Sequence, residues 1–109
     1  MKNNCILLVL NLFLLSACGE YNKVIKSTDY EFKFKKGVEY YESGEYARAG
    51  TLFQDLISVY RGTSKADQVY YHYAKSMMGQ KDYLMGEQYF RTLVKEYPTS
   101  KNLEEAQYM

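Results

Sequence analysis

Few side chains in this 109-residue chain could carry chemistry. The two thiols, Cys5 and Cys18, could each be a buried packing group, half of a disulfide or a point of covalent attachment. The single imidazole, His72, lies among tyrosines on a helical stretch with no Asp or Cys at ligand spacing, so a packing or surface role is expected. Glu104 and Glu105 are adjacent, diverge on a helix and cannot easily act as an acid/base couple. Lys35–Glu39 and Glu87–Arg91 stand at i, i+4 and read as solvated helix pairs. No phosphate-binding glycine loop, HExxH or GxSxG is present. No catalytic residue and no metal ligand set is therefore expected, and the chain reads as non-enzymatic. Cys18 is left as the residue to explain.

The elements around Cys18 answer that question. Met1 to Asn4 carries one positive charge, and Ile6 to Leu15 (ILLVLNLFLL) is apolar except for Asn11. Such a run rises about 15 Å as a helix, half of what a bilayer core requires. A positive start, a short apolar stretch and small residues at its end mark a secretory signal peptide. A buried helix would need more than Asn11 on a polar face. Leu15-Ser16-Ala17-Cys18 then resembles the bacterial lipobox. That resemblance implies cleavage after residue 17, diacylation of the Cys18 thiol and acylation of the new amine. Several acyl chains, at roughly 0.8 kcal/mol per buried methylene, anchor stably where one would not. Cys5 would leave with residues 1–17, so no disulfide is expected and the covalent lipid on Cys18 is the only attached group. Gly19 rather than Asp after the cysteine implies sorting to the outer membrane. No acidic run follows to direct surface export, so the expected face is periplasmic.

After loss of Lys2, the 14 Lys+Arg fall to 13 against 13 Asp+Glu. That balance gives no broad basic surface, and nucleic acid is not an expected partner. Thirteen Tyr, no Trp and a single Pro, with no strict alternation, point to an all-α chain in which tyrosine serves both packing and binding. Residues 18–28 read as a tether, extended over Gly19 to Ser27, with reach of roughly 30 Å. Thr28 to Glu31 offers a capping box at the start of the domain, 29–109.

Residues 37–61 and 74–98 align without a gap at an offset of 37. Gly37 falls on Ala74, Tyr46 on Tyr83, Ala49 on Gly86, Phe53 on Phe90, Leu56 on Leu93 and Tyr60 on Tyr97. Each unit is a helical hairpin, broken near Ser43-Gly44-Glu45 or Gly79 to Asp82, with helices expected at 29–43, 46–60, 65–78 and 83–96. The pattern resembles the tetratricopeptide repeat, TPR, through Ala74, Tyr83, Gly86, Phe90 and Pro98; Arg61 stands where the first unit's Pro would be. Ser100 to Met109 echoes the start of the second unit, giving a TPR-type helical-hairpin solenoid of about two and a half repeats. A solenoid end needs a polar cap, so the chain is expected to continue.

The TPR resemblance implies a concave groove lined by the first helix of each pair. Carried over, its positions are Phe34, Val38, Tyr41 and Glu42 in the first unit and Tyr71, Lys75 and Met78 in the second. Aromatic and flexible apolar side chains of this kind suit an extended apolar peptide; equally, they could pack on neighbouring repeats. Residues 70–108, with the tyrosine-rich helix, the Lys81-Asp82-Tyr83 turn, Tyr89-Phe90 and the Pro98 to Lys101 exit, resemble the N-terminal part of the BamD family. Those lipoproteins belong to the machine that inserts β-barrel proteins into bacterial outer membranes. The resemblance implies a scaffold whose partners are the central barrel-assembly protein and unfolded outer-membrane protein segments. Two other readings stay open: a TPR lipoprotein that captures glycans for a transporter, which the absence of Trp disfavours, and an envelope or division adaptor.

Overall fold

A computed structural model describes residues 18–98. The expected signal peptide, Cys5 and the third unit from Ser100 to Met109 lie outside the described residues. Five helices are present and, among the described residues, no strand. Residues 18–26 are helical and are called α1; α2 is Tyr30–Glu42, α3 Tyr46–Tyr60, α4 Ala66–Gly79 and α5 Tyr83–Glu96. The last four agree with the expected helices to within a residue at each end. Consecutive helices pack on one another, and α2 also reaches α4. The architecture is thus two helical hairpins, α2–α3 and α4–α5, joined side by side through α3 and α4.

Local chemistry explains the breaks. Ser43 ends α2, and Gly44 turns the chain at φ 80°. Gly44 N–H then donates to the Tyr41 carbonyl at 3.0 Å and Glu45 N–H to the Tyr40 carbonyl at 2.9 Å. This pair of bonds satisfies carbonyls that the helix end leaves open. The second hairpin repeats them, from Lys81 N–H to Met78 and from Asp82 N–H to Met77, both at 2.9 Å. There the left-handed position is Lys81 at φ 66°. At the start of α2 the cap is Asp29, not the expected Thr28. The Asp29 carboxylate accepts from Phe32 N–H at 3.2 Å, while Ser27 Oγ accepts from Asp29 N–H at 3.1 Å. Asp outcompeted Thr because its carboxylate is the stronger acceptor and reaches the third residue on.

The repeated small and aromatic positions build the core. Ala49, Leu52, Phe53 and Leu56 of α3 are fully buried, as are Val69 and Ala74 of α4 and Leu93 of α5. Gly37 lets α2 come down onto α3: a Cβ there would stand 2.8 Å from the Phe53 ring. Glu39 pairs with Lys36 at 3.1 Å rather than with Lys35, and the same Lys36 amine also meets Glu20. Glu87–Arg91 forms as expected, at 2.6 Å.

The stretch expected as an extended tether is α1, and it lies on the first hairpin. Tyr21, Val24 and Ile25 stand at i, i+3, i+4 and form one apolar stripe. Val24 is 1% exposed, and Tyr21 meets Tyr40 edge-on with centroids 5.5 Å apart. Lys33, itself buried, donates to the Ile25 carbonyl at 2.7 Å and stands 3.7 Å from the Asp55 carboxylate. A cation at the carboxyl end of α1 meets the carbonyls that helix leaves unpaired. On the outer face Glu20 and Lys36 pair at 2.9 Å, and this hydrogen bond holds the Lys36 amine above its ordinary pKa.

Candidate functional site

The groove positions sit on α2 and α4, the first helices of the two hairpins. They do not behave as one set. Tyr41 and Tyr71 come together around Lys75, whose Nζ lies 5.1 Å from both ring centroids. Tyr41 is half-buried and meets Tyr46 edge-on; Tyr71 is buried and meets Phe90 edge-on. Lys75 therefore bridges two helices through two aromatic faces, each contact worth roughly 0.5–1 kcal/mol where solvent reaches it.

One to two turns nearer the start of α2, Phe34 is half-buried and makes edge contacts with Phe53 and His72. The Lys65 amine lies 4.5 Å above its ring. Val38 is half-buried and packs against the core, and Glu42 is exposed at the end of α2. Met78 belongs to a different contact: its sulfur and Cγ fill the space left by Gly86, where a Cβ would meet them at 2.6 and 2.8 Å. It serves the α4–α5 approach.

His72 was absent from the groove positions, yet it stacks on Phe53 at 5.3 Å and meets Phe34 and Tyr71 edge-on. The signal was its place between Tyr71 and Lys75 on the same helix. Lys65 and His72 thus join Phe34 much as Lys75 joins Tyr41 and Tyr71. Together they make an aromatic strip studded with two cations, running along α2 and α4. Such a strip offers ring faces to apolar side chains and ammonium donors to carbonyl or carboxylate oxygens.

At the other side of the first hairpin, Cys18 is exposed at the start of the described α1. Arg48 brings Nη2 to 3.9 Å from the Cys18 sulfur and stacks its guanidinium 4.9 Å above the Tyr21 ring. Tyr40 lies beneath the same guanidinium, and burial raises its phenol pKa. Among the described residues no three His, Cys, Asp or Glu side chains are grouped to hold a metal ion. No described helix is long and apolar enough to cross a membrane.

Residues 27–109 match the YfiO family, described as outer membrane lipoprotein. The chain belongs to the YfiO family. The match takes in both hairpins, including every groove position, and starts just after α1. Membership places the protein among outer-membrane lipoproteins built, here, from helical hairpins. No curated protein matches the chain.

Proposed function

We propose that this YfiO-family lipoprotein is a scaffold of the β-barrel assembly machinery. It is held by lipid on Cys18 and faces the periplasm. Its groove along α2 and α4 receives extended, unfolded segments of outer-membrane proteins, and the intact lipoprotein also engages the central barrel-assembly protein. It acts by reversible binding rather than by catalysis.

The observation that supports this reading is the Lys75 amine held 5.1 Å from both Tyr41 and Tyr71. Two rings and a cation on facing helices fit a chain that alternates aromatic and apolar residues and still exposes backbone carbonyls. Tyrosines supply large contacts at low entropic cost, and a preorganised pair saves ordering on binding. Tyr41 is the cleaner probe, because Tyr71 is buried against Phe90 and its truncation also loosens the core.

Titrating the intact lipoprotein with a peptide from the last strand of an outer-membrane barrel tests the groove. Tyr41→Ala is expected to weaken binding roughly two- to tenfold, the equivalent of one aromatic contact. Unchanged affinity removes the groove from the reading. Purification from mild detergent tests the machine: recovery of the central barrel protein is expected, and a transporter or division proteins in its place would remove the assembly role.

A further inference from the structure

We infer that the hairpin-turn end of the repeats lies against the bilayer surface, with Leu84 and Tyr83 entering the headgroup region. This rests on the reading of Cys18 as the lipid attachment point and deepens it by saying which part of the molecule touches lipid.

The geometry begins with α1. A free tether would let the repeats tumble below the membrane in any orientation. Here the chain from residue 18 to 26 is helical and fastened along its length, by Glu20 to Lys36, Tyr21 to Tyr40, Val24 in the core and Ile25 to Lys33. The Cys18 sulfur consequently has a fixed address. It lies 3.9 Å from Arg48, in the first turn of α3, beside the Gly44 turn.

The second hairpin's turn stands next to the first. Gln80 Nε2 donates to the Tyr46 carbonyl at 3.3 Å, and the Tyr46 ring lies so close to Gly79 that a Cβ there would overlap it. Gly44, Glu45, Ala47, Arg48 and Gln80 line one shallow hollow between the two turns. From Gln80 the chain runs through Lys81 into the first turn of α5, where Tyr83 is 58% and Leu84 81% exposed. These are the two most exposed large apolar side chains of the described protein. At the far end Tyr30, Phe32 and Val59 are only 36–40% exposed.

The charges at the turn end suit the same partner. Glu45 is neutralised by Arg48 at 3.4 Å, and the Asp82 carboxylate is engaged by Met85 N–H at 3.3 Å. Lys81 is exposed in the same turn, two residues before Tyr83. A leucine, a tyrosine and a lysine on one short exposed turn are the residue types that sit at a bilayer interface: apolar body inward, phenol and ammonium among the headgroups. The glyceryl link between the Cys18 sulfur and its acyl chains is short, so acyl chains seated in the bilayer draw this end toward the lipid, with α2 and α4 running away from it into the periplasm.

The test uses the intact acylated lipoprotein in phosphatidylethanolamine–phosphatidylglycerol vesicles that carry nitroxide-labelled lipid. Leu84→Cys and Val59→Cys each receive the same small environment-sensitive fluorophore, and circular dichroism checks that the helices are kept. The two positions lie at opposite ends of the hairpins. Several-fold stronger quenching at 84 than at 59, with a blue-shifted emission, is expected. Equal quenching, or stronger quenching at 59, overturns the orientation. Mass spectrometry of the peptide containing Cys18 reads the anchor separately. An unmodified Cys18 overturns both the anchor and the orientation built on it, whereas acylated protein with equal quenching overturns the orientation alone.

Discussion

The two hairpins share a register but close it with different chemistry. Position 33 of the first corresponds to position 70 of the second. Lys33 is buried between the Ile25 carbonyl and the Asp55 carboxylate. Tyr70 at the matching site stacks on Tyr89 at 5.8 Å and tilts against Tyr97 at 5.7 Å. Three residues on, Lys36 pairs with Glu20 and Glu39, whereas Tyr73 meets Tyr89 edge-on at 4.6 Å. The first hairpin is thus closed by charges and by α1, the second by a cluster of tyrosines. A helical repeat specifies where a side chain must fill space and leaves open whether an ion pair or an aromatic stack fills it.

The comparison breaks first at the core both hairpins share. Phe53→Ala is expected to cost about 3–5 kcal/mol, because a fully buried ring that also supports Phe34 and His72 leaves a large cavity. Phe90→Ala, at the edge of the second hairpin, should cost less. Urea unfolding of the two variants side by side gives the order, and the reverse order would mean the tyrosine-built hairpin is the more tightly packed.

Removing the charge specific to the first hairpin comes next. Lys33→Met keeps the apolar stem but strips the Ile25 carbonyl and Asp55 of their donor, for a loss of roughly 1–3 kcal/mol. Protease cleavage between α1 and α2 should rise with it. A stable variant with unchanged cleavage would show that Val24 and Tyr21 hold α1 without the lysine.

The two turns provide a gentler contrast. Lys81 occupies the left-handed position that Gly44 fills in the first hairpin. Lys81→Gly is expected to change stability by less than about 1 kcal/mol, since relief of strain is offset by chain entropy, while Gly44→Ala costs about 1 kcal/mol. A Gly44→Ala variant as stable as the parent in thermal melts would mean that a side chain carries no strain at that left-handed position. Smallest of all is the exposed Glu87–Arg91 pair: Arg91→Ala should shift stability by roughly 0.3–0.5 kcal/mol and become silent at high salt.

Alkaline pH challenges both closures together. Burial raises the phenol pKa of Tyr40 and Tyr60 in the first hairpin and of Tyr73 and Tyr97 in the second, and Glu20 raises that of Lys36. Each of these groups binds its proton more tightly folded than unfolded. Their contribution is therefore complete below about pH 10, where an unfolded tyrosine stays neutral, and is lost as pH climbs through the raised folded values. Denaturant midpoints measured from pH 8 to 12 should be flat and then fall. Tyrosinate absorbance should follow the fall, and a midpoint that rose with pH would contradict the direction of all five shifts.

Much of this was legible in the residues. Ser43-Gly44-Glu45 and Gly79 to Asp82 break the helices as their turn chemistry predicts, and Phe53/Phe90 and Leu56/Leu93 are buried as their repetition requires. These signals are local or recur at one offset, so periodicity and turn chemistry determine the helices, their hairpins and their register. The cysteine at the end of an apolar run is equally a property of sequence. Tertiary structure alone decided how α1 is used. Tyr21, Val24 and Ile25 make too short a stripe to stand as a helix by themselves, and only the surface offered by Lys33, Lys36 and Tyr40 makes helix the better state. It also decided which groove side chains meet. Tyr41 and Lys75 are far apart in the chain, and Met78 turns toward Gly86 instead of joining them. Those outcomes depend on how closely α2 approaches α3 and α5 approaches α4, distances set by Gly37 and Gly86 acting across helices rather than within one.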